Sequence, residues 1–260
     1  MNNKLLVVDI GNTHITLGIF QGNKITAHWR ISSVTTRTID ESWIMVKMLC
    51  QSENVDIKRI TGCAISSVVP DQTFVFSAMV ENELNVPVVV VDSNLDTGIE
   101  ILYHDPTSVG ADRICNAVAG YEKFGGPLII VDFGTATTFD IVSGHAEYLG
   151  GIIAPGVETS SLVLHKFAAR LPKVELKFPE KIIGTTTESS MQAGIMYGTV
   201  ELVNGLIQRI SKELGNENEI IATGGIAKIM SPKLAVTPKF EPHLTLEGLQ
   251  IIFNRTCNLK

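Results

Sequence analysis

The chain has 260 residues, of which 45% are hydrophobic and 18% charged, with a formal net charge of −6. That length suits one or two globular domains, and the composition excludes an intrinsically disordered chain. The acidic balance, with no Lys/Arg-rich run, argues against nucleic acid as the main partner. No apolar window approaches the roughly 18 residues of a membrane span, and the LLVV before Asp9 is too short for a signal peptide. Cys50, Cys63, Cys115 and Cys257 show neither metal-ligand spacing nor a CxxC pair, which fits a soluble protein of the reducing cytoplasm.

The first half opens with strands expected at 4–10 and 14–20, the second alternating as a half-buried strand does. QGN at 21–23 reads as a hairpin turn into a third strand, KITAHWRIS. Helical spacing follows at 38–53, with Asp40 or Ser42 as the expected cap. GCAISSVVP (62–70) reads as a buried strand ending at proline, 72–84 as a helix and PVVVVD (87–92) as a strand. Residues 113–124 read as a helix stopped by Gly125 and Gly126, with Pro127 beyond.

The opening pattern then returns. LLVVDIGNTHITLGIF at 5–20 and LIIVDFGTATTFDIV at 128–142 both run from an apolar stretch through Asp and Gly into a Thr-containing turn. Asp9 matches Asp132 and Gly11 matches Gly134, at one offset of 123 residues. GGIIAPG (150–156) reads as a glycine-rich bend, and helices are expected at 157–170, 187–197 and 198–214. ENEIIATGG (217–225) reads as a strand entering a glycine turn, and LTLEGLQIIFNRTC as a last helix. Strands followed by alternating strands and helices give an α/β class with mixed sheets. The repeat implies two halves, 1–118 and 119–260, with a cleft between them suited to phosphate chemistry.

In DIGNT, Gly11 permits a sharp turn, and the amides of Asn12 and Thr13 form a nest that fits a phosphate. Asp9, ending an apolar strand, suits a hydrated Mg²⁺. The alternative is a structural hairpin Asp, which the second copy disfavours. Thr135, Thr137 and Thr138 offer hydroxyls around the second turn, where Asp132 either meets a cation or braces the turn. In GADR (110–113), Asp112 and Arg113 are either an ordinary helix start or, in a kinase, a proton acceptor and a guanidinium fork. TGG (223–225) permits close backbone approach to a ligand, or is a plain strand–helix turn. No P-loop, Rossmann fingerprint, GxSxG elbow or HExxH pattern is present.

Taken in order, DIGNT, SSVVP (66–70), Tyr103, GADR, DFGTATT (132–138), GGIIAPG and TGG resemble the type III pantothenate kinase family, to about residue 227. The resemblance implies two ribonuclease H-like domains in tandem, of the acetate and sugar kinase/Hsp70/actin superfamily, and a homodimer. It implies ATP-dependent phosphorylation of pantothenate to 4'-phosphopantothenate, the first step of coenzyme A synthesis, with Mg²⁺ and a monovalent cation, K⁺ or NH₄⁺. Carried over, Asp9, Ile10, Gly11, Asn12, Thr13, His14, Gly134 and Thr135 would meet ATP or its phosphates, with Asp9 toward Mg²⁺ and Asp132 toward K⁺. Tyr103, Gly110, Ala111, Asp112, Arg113 and Thr187 would bind pantothenate, with Asp112 the proton acceptor. The segment IGTTTESSMQAG (183–194) has Thr185 where the family commonly has a basic residue, so either Thr186 or Thr187 is the substrate contact. Competing readings keep the fold: a kinase for another small alcohol, a phosphate hydrolase, or a non-enzymatic accessory factor of gene expression. The presence of Asp9, Asp112, Asp132 and Arg113 speaks against the last.

Overall fold

The computed structural model describes residues 3–215 and 217–257. The chain divides into two compact units. The first runs to Lys123 and takes in the chain from Leu244 onward; the second is Phe124–His243. A division in chain order leaves the last helix with the second half, whereas by packing that helix belongs with the first.

The first unit opens with β1 (Lys4–Ile10), β2 (His14–Gln21) and β3 (Lys24–Ser32), an antiparallel meander. It continues through α1 (Ile39–Ser52), β4 (Ile60–Ser67), α2 (Pro70–Glu83), β5 (Val88–Val90), a two-residue β6 (Glu100–Ile101) and α3 (Ala111–Phe124). The sheet order is β3-β2-β1-β4-β5, with β4 parallel to β1 and β5 parallel to β4. Leu6, Val8 and Ile10 on one face pack with Val46 and Cys50 of α1 and Phe76, Met79 and Val80 of α2. The opposite face carries Leu5, Val7 and Asp9, since alternate strand residues point to opposite sides. Over it lies the last helix, α7 (Leu244–Thr256). Phe253 sits where a Cβ on Gly62 would be, and Leu246 lies against Gly18. Gly248 approaches the backbone of Cys115 so closely that a side chain there would meet its carbonyl carbon at 2.6 Å. Polar clasps finish the seam: Lys123 Nζ donates to Glu247 at 2.8 Å, Arg255 to Glu122 at 2.9 Å, and Thr245 Oγ1 to Asn116 at 2.8 Å.

The second unit repeats the plan with β7 (Leu128–Phe133), β8 (Ala136–Val142), β9 (Glu147–Pro155), α4 (Val157–Phe167), α5 (Thr187–Leu214), β10 (Glu219–Thr223), α6 (Ala227–Met230) and β11 (Lys239–Phe240). Its strands run β9-β8-β7-β10-β11, the order of the first sheet, again an antiparallel meander followed by parallel strands. Ile129, Val131, Phe133, Phe139 and Ile141 form a core with Val157 and with Met191, Ile195, Val203 and Ile207 of α5. The repeat read in the sequence is therefore a repeat of topology as well as of motif.

Four local expectations change. The cap of α1 is Thr38, not Asp40 or Ser42: Glu41 N–H donates to its hydroxyl at 3.3 Å and Glu41 Oε2 accepts from its N–H at 2.8 Å, a capping box. Pro70 starts α2 rather than ending β4, because its missing N–H costs nothing in a first turn. GGIIAPG is strand as far as Pro155, not bend, with Gly156 the N-cap of α4: Gly150 takes a φ of 128° where the β8–β9 register shifts, so the strand continues through a bulge. Residues 187–214 form one helix, because Gly194, Gly198 and Gly205 leave space without breaking the backbone ladder.

Candidate active site

The two acidic strand ends have matching surroundings. Asp9 pairs with Thr16 on β2 and Ser66 on β4; Asp132 pairs with Thr138 on β8 and Thr223 on β10. Each carboxylate stands at the C-terminal end of a central strand with a hydroxyl residue on either side. The turns beyond them differ. Ile10 pairs with Ile15 across Gly11, Asn12, Thr13 and His14, whereas Phe133 pairs with Thr137 across only Gly134, Thr135 and Ala136. Gly11 N–H donates to the His14 carbonyl at 2.9 Å, and Gly134 N–H to the Ala136 carbonyl at 3.0 Å. The first turn is thus the longer and presents more amide.

In the first unit, Gly110 leads into α3 with Ala111, Asp112 and Arg113 in its first turn. Asp112 Oδ1 accepts from Arg113 N–H at 2.9 Å, folding the carboxylate onto the positive end of its own helix. A Cβ at Gly110 would stand 2.5 Å from Asp112 Oδ1, so that carboxylate position requires glycine. Burial pushes the Asp112 carboxyl above the usual aspartate range, with Arg113 opposing the shift. Cys115, one turn on, is fully buried, and its thiol is raised first by burial and then by the negative charges of Asp9 and Asp112. Both carboxylates therefore act on one buried thiol, and the buried Ser66 of β4 lies in the same neighbourhood. Arg113 is buried and Tyr103 lies partly exposed in the loop before the turn at Pro106–Ser108.

In the second unit, α4 pins the turn. The Thr135 carbonyl accepts from Gly156 N–H at 3.2 Å and from Thr159 Oγ1 at 2.6 Å. A Cβ on Gly156 would collide with the carbonyls of Gly134 and Thr135. Gly224, with φ 96°, packs so tightly that a Cβ would meet Asp132 Oδ1 and come within 2.6 Å of the Phe133 backbone. Both glycine motifs thus hold backbone against the second turn. Thr187, first residue of α5, lines a groove of about 1080 Å³ that also includes Thr159, Ser160, Leu164 and Ile195. Thr159 joins that groove to the turn at Thr135.

Thr159 is a polar neighbour that motif reading did not single out. Ser66 and Thr223, the first residues of SSVVP and TGG, gain their place beside the aspartates through register, each opposite one on a parallel strand. Among the described residues no cluster of three or more His, Cys, Asp or Glu side chains is placed to hold a metal ion. A cation at Asp9 or Asp132 would take its remaining oxygens from backbone, water and phosphate, a set that suits hard cations. Among the described residues no helix is long and apolar enough to cross a membrane.

Duplicated meander-plus-parallel sheets, each with an acidic strand end beside a glycine turn, define the fold class of the actin-like ATPases and sugar kinases. Solved structures agree on the fold. A Baf family transcriptional activator from Campylobacter jejuni superposes with a TM-score of 0.59 at 17% identity, covering 98% of this chain and 100% of that one. A ROK hexokinase from Thermus thermophilus superposes with a TM-score of 0.52 at 11% identity, covering 98% and 99%. A type III pantothenate kinase of Moorella thermoacetica is 45% identical over 251 residues, 96% of this chain and 99% of that one. The family model for type III pantothenate kinase matches residues 5–209, and the chain belongs to that family. It is a kinase that phosphorylates pantothenate in coenzyme A biosynthesis.

Proposed function

We propose that Asp112 accepts the proton of the pantothenate primary hydroxyl as that oxygen bonds to the γ-phosphorus of ATP and ADP leaves. The observation that carries this reading is the half-buried Asp112 carboxyl, held at the start of α3 by the Arg113 N–H and close to the same thiol as Asp9. The amides of Asn12 and Thr13, in a turn framed by Ile10, Gly11 and His14, hold one set of phosphate oxygens; Thr135, in the turn that Gly134 closes, holds another. Asp9 is the Mg²⁺ ligand and Asp132 the K⁺ ligand. When bound, these cations supply charge neutralisation on the phosphates. The protein's own work is positioning and electrostatics, as phosphoryl transfer requires. Tyr103, Gly110, Ala111 and Arg113 orient pantothenate, with Arg113 forking onto its carboxylate. An ADP-release assay tests the reading: release should require pantothenate. Release of equal rate without it, or with an unrelated alcohol, would sink the substrate assignment.

Between the two threonines, we assign the substrate contact to Thr187. Thr186 is the N-cap of α5: its hydroxyl accepts from Ser189 N–H at 3.1 Å while Ser189 Oγ accepts from its N–H at 3.1 Å. Thr186→Ala should lower stability by about 1 kcal/mol and leave the pantothenate KM unchanged. Thr187→Ala should raise that KM about tenfold without a stability loss. Thermal melts and steady-state kinetics read both, and the reverse pattern transfers the role to Thr186.

The working state is a homodimer. Leu162, Val163 and Phe167 of α4, with Ile182 and Ile183, expose large apolar side chains beside the groove, and a patch of that kind marks an interface. Sedimentation should give twice the chain mass, and Phe167→Asp should shift it to one. A wild-type monomer would reject the dimer. The four free thiols support a cytoplasmic setting, which cell fractionation checks.

A further inference from the structure

Strand register places Arg30, Thr16, Asp9 and Ser66 in one row across β3, β2, β1 and β4. Directly opposed residues share a face of the sheet, so Arg30 stands on the face that carries Asp9. Its side chain leans along β2, where Nη2 donates to His14 Nδ1 at 2.8 Å. A guanidinium only donates, so Nδ1 accepts and the ring proton sits on Nε2. The same His14 closes the β1–β2 turn through its carbonyl. The charge of Arg30 is thereby fastened to the turn. Among the described residues Arg30 has no carboxylate partner, and it is exposed, so its other N–H groups remain available.

The second copy serves as an internal control. Its corresponding row is Ile153, Thr138, Asp132 and Thr223. Ile153 takes the place of Arg30 and is 66% exposed. The fold therefore accepts an apolar side chain at this position and does not itself require a cation. Charge on an edge strand such as β3 discourages aberrant pairing, but that purpose needs no fixed orientation, and Arg30 has one. The planar guanidinium fork matches phosphate oxygens. The turn from Gly11 to Thr13 has amides and hydroxyl but no fixed positive charge of its own.

We propose that Arg30 is a phosphate-contacting residue for the nucleotide, aimed at the β1–β2 turn by His14. This rests on the reading that the turn holds the phosphates of ATP. Arg30→Met, which keeps the stem, should raise the ATP KM about tenfold to a hundredfold, the range of a lost hydrogen bond to a charged group. The pantothenate KM should change less than about twofold, and adenosine affinity, measured by calorimetry, should be unchanged. Arg30→Lys should recover part of the loss. Arg59→Ala, which removes an exposed pair with Asp56, should leave the kinetics unaltered. Asn12→Ala separates the two readings. A raised ATP KM in Asn12→Ala with none in Arg30→Met keeps the turn and overturns the role of Arg30; no rise in either overturns both. Equal losses of ATP and adenosine affinity, or a lower melting temperature with an unchanged ATP KM, would show a structural role and also overturn the proposal.

Discussion

Asp112→Asn is expected to cut kcat by at least about a hundredfold, the lower end of what a positioned base contributes, with ATP affinity close to that of the unaltered chain. The substitution is nearly isosteric. The amide oxygen of Asn can still accept from Arg113 N–H, as Asp112 Oδ1 does at 2.9 Å, and Gly110 still leaves it room. What is lost is the ability to take a proton. Burial of the Asp112 carboxyl sharpens the expectation. A raised pKa means the group stays protonated, and so unable to accept, to a higher pH than an ordinary aspartate. Activity should therefore fall with decreasing pH through that raised value, and the variant should lack this acid limb. Steady-state kinetics across pH, with ATP binding followed by calorimetry, reads each arm. Near-normal turnover in Asp112→Asn would remove the residue from the mechanism.

The parts of this site legible in the sequence were those written in local spacing. Asp–x–Gly followed by a Thr-containing turn announces a strand end, a tight turn and a strand, and the two copies have that form at β1–β2 and β7–β8. The inequality of the turns was not legible, because it depends on which residues pair: Ile10 with Ile15, but Phe133 with Thr137. Register hid Arg30 for the same reason, and hid the pairing of Ser66 and Thr223 with the aspartates although SSVVP and TGG were legible, since each gains meaning from a residue on a neighbouring strand. GGIIAPG read as a bend because two adjacent glycines signal a break, yet a bulge absorbs the unusual φ and the ladder continues. The 187–214 helix read as two because helix-length priors favour short pieces, whereas packing of Met191 through Ile210 on one sheet sustains a single long one. The return of α7 to the first unit has no local signature; it rests on Phe253 filling the space above Gly62, which only the folded sheet creates.

Replacing K⁺ by Na⁺ is expected to lower kcat by about tenfold or more, and Asp132→Asn to abolish the difference between the two salts. Asp132 is half-buried at the end of β7, with Gly224 and the Phe133 backbone packed against it and Thr138 and Thr223 on either side. A carboxylate held there faces an electrostatic problem once a polyphosphate is near. Two negative unit charges roughly 5 Å apart at an effective dielectric of about 20 repel by about 3 kcal/mol, and 1.4 kcal/mol already corresponds to about tenfold in rate. A cation at Asp132 would remove that repulsion, and discrimination between K⁺ and Na⁺ would follow from the size and number of oxygens a rigid site offers. Rigidity is what the glycines at 156 and 224 provide, each allowing backbone to approach within a distance a side chain would forbid. The first copy lacks this constraint around a longer turn, which is the physical reason to place the monovalent cation at Asp132 and the hydrated divalent one at Asp9. Rates measured at equal ionic strength in KCl and NaCl decide the matter. Equal kcat in both salts for the unaltered chain would refute the assignment of Asp132, whereas a salt preference that survives in Asp132→Asn would move the cation elsewhere in the site.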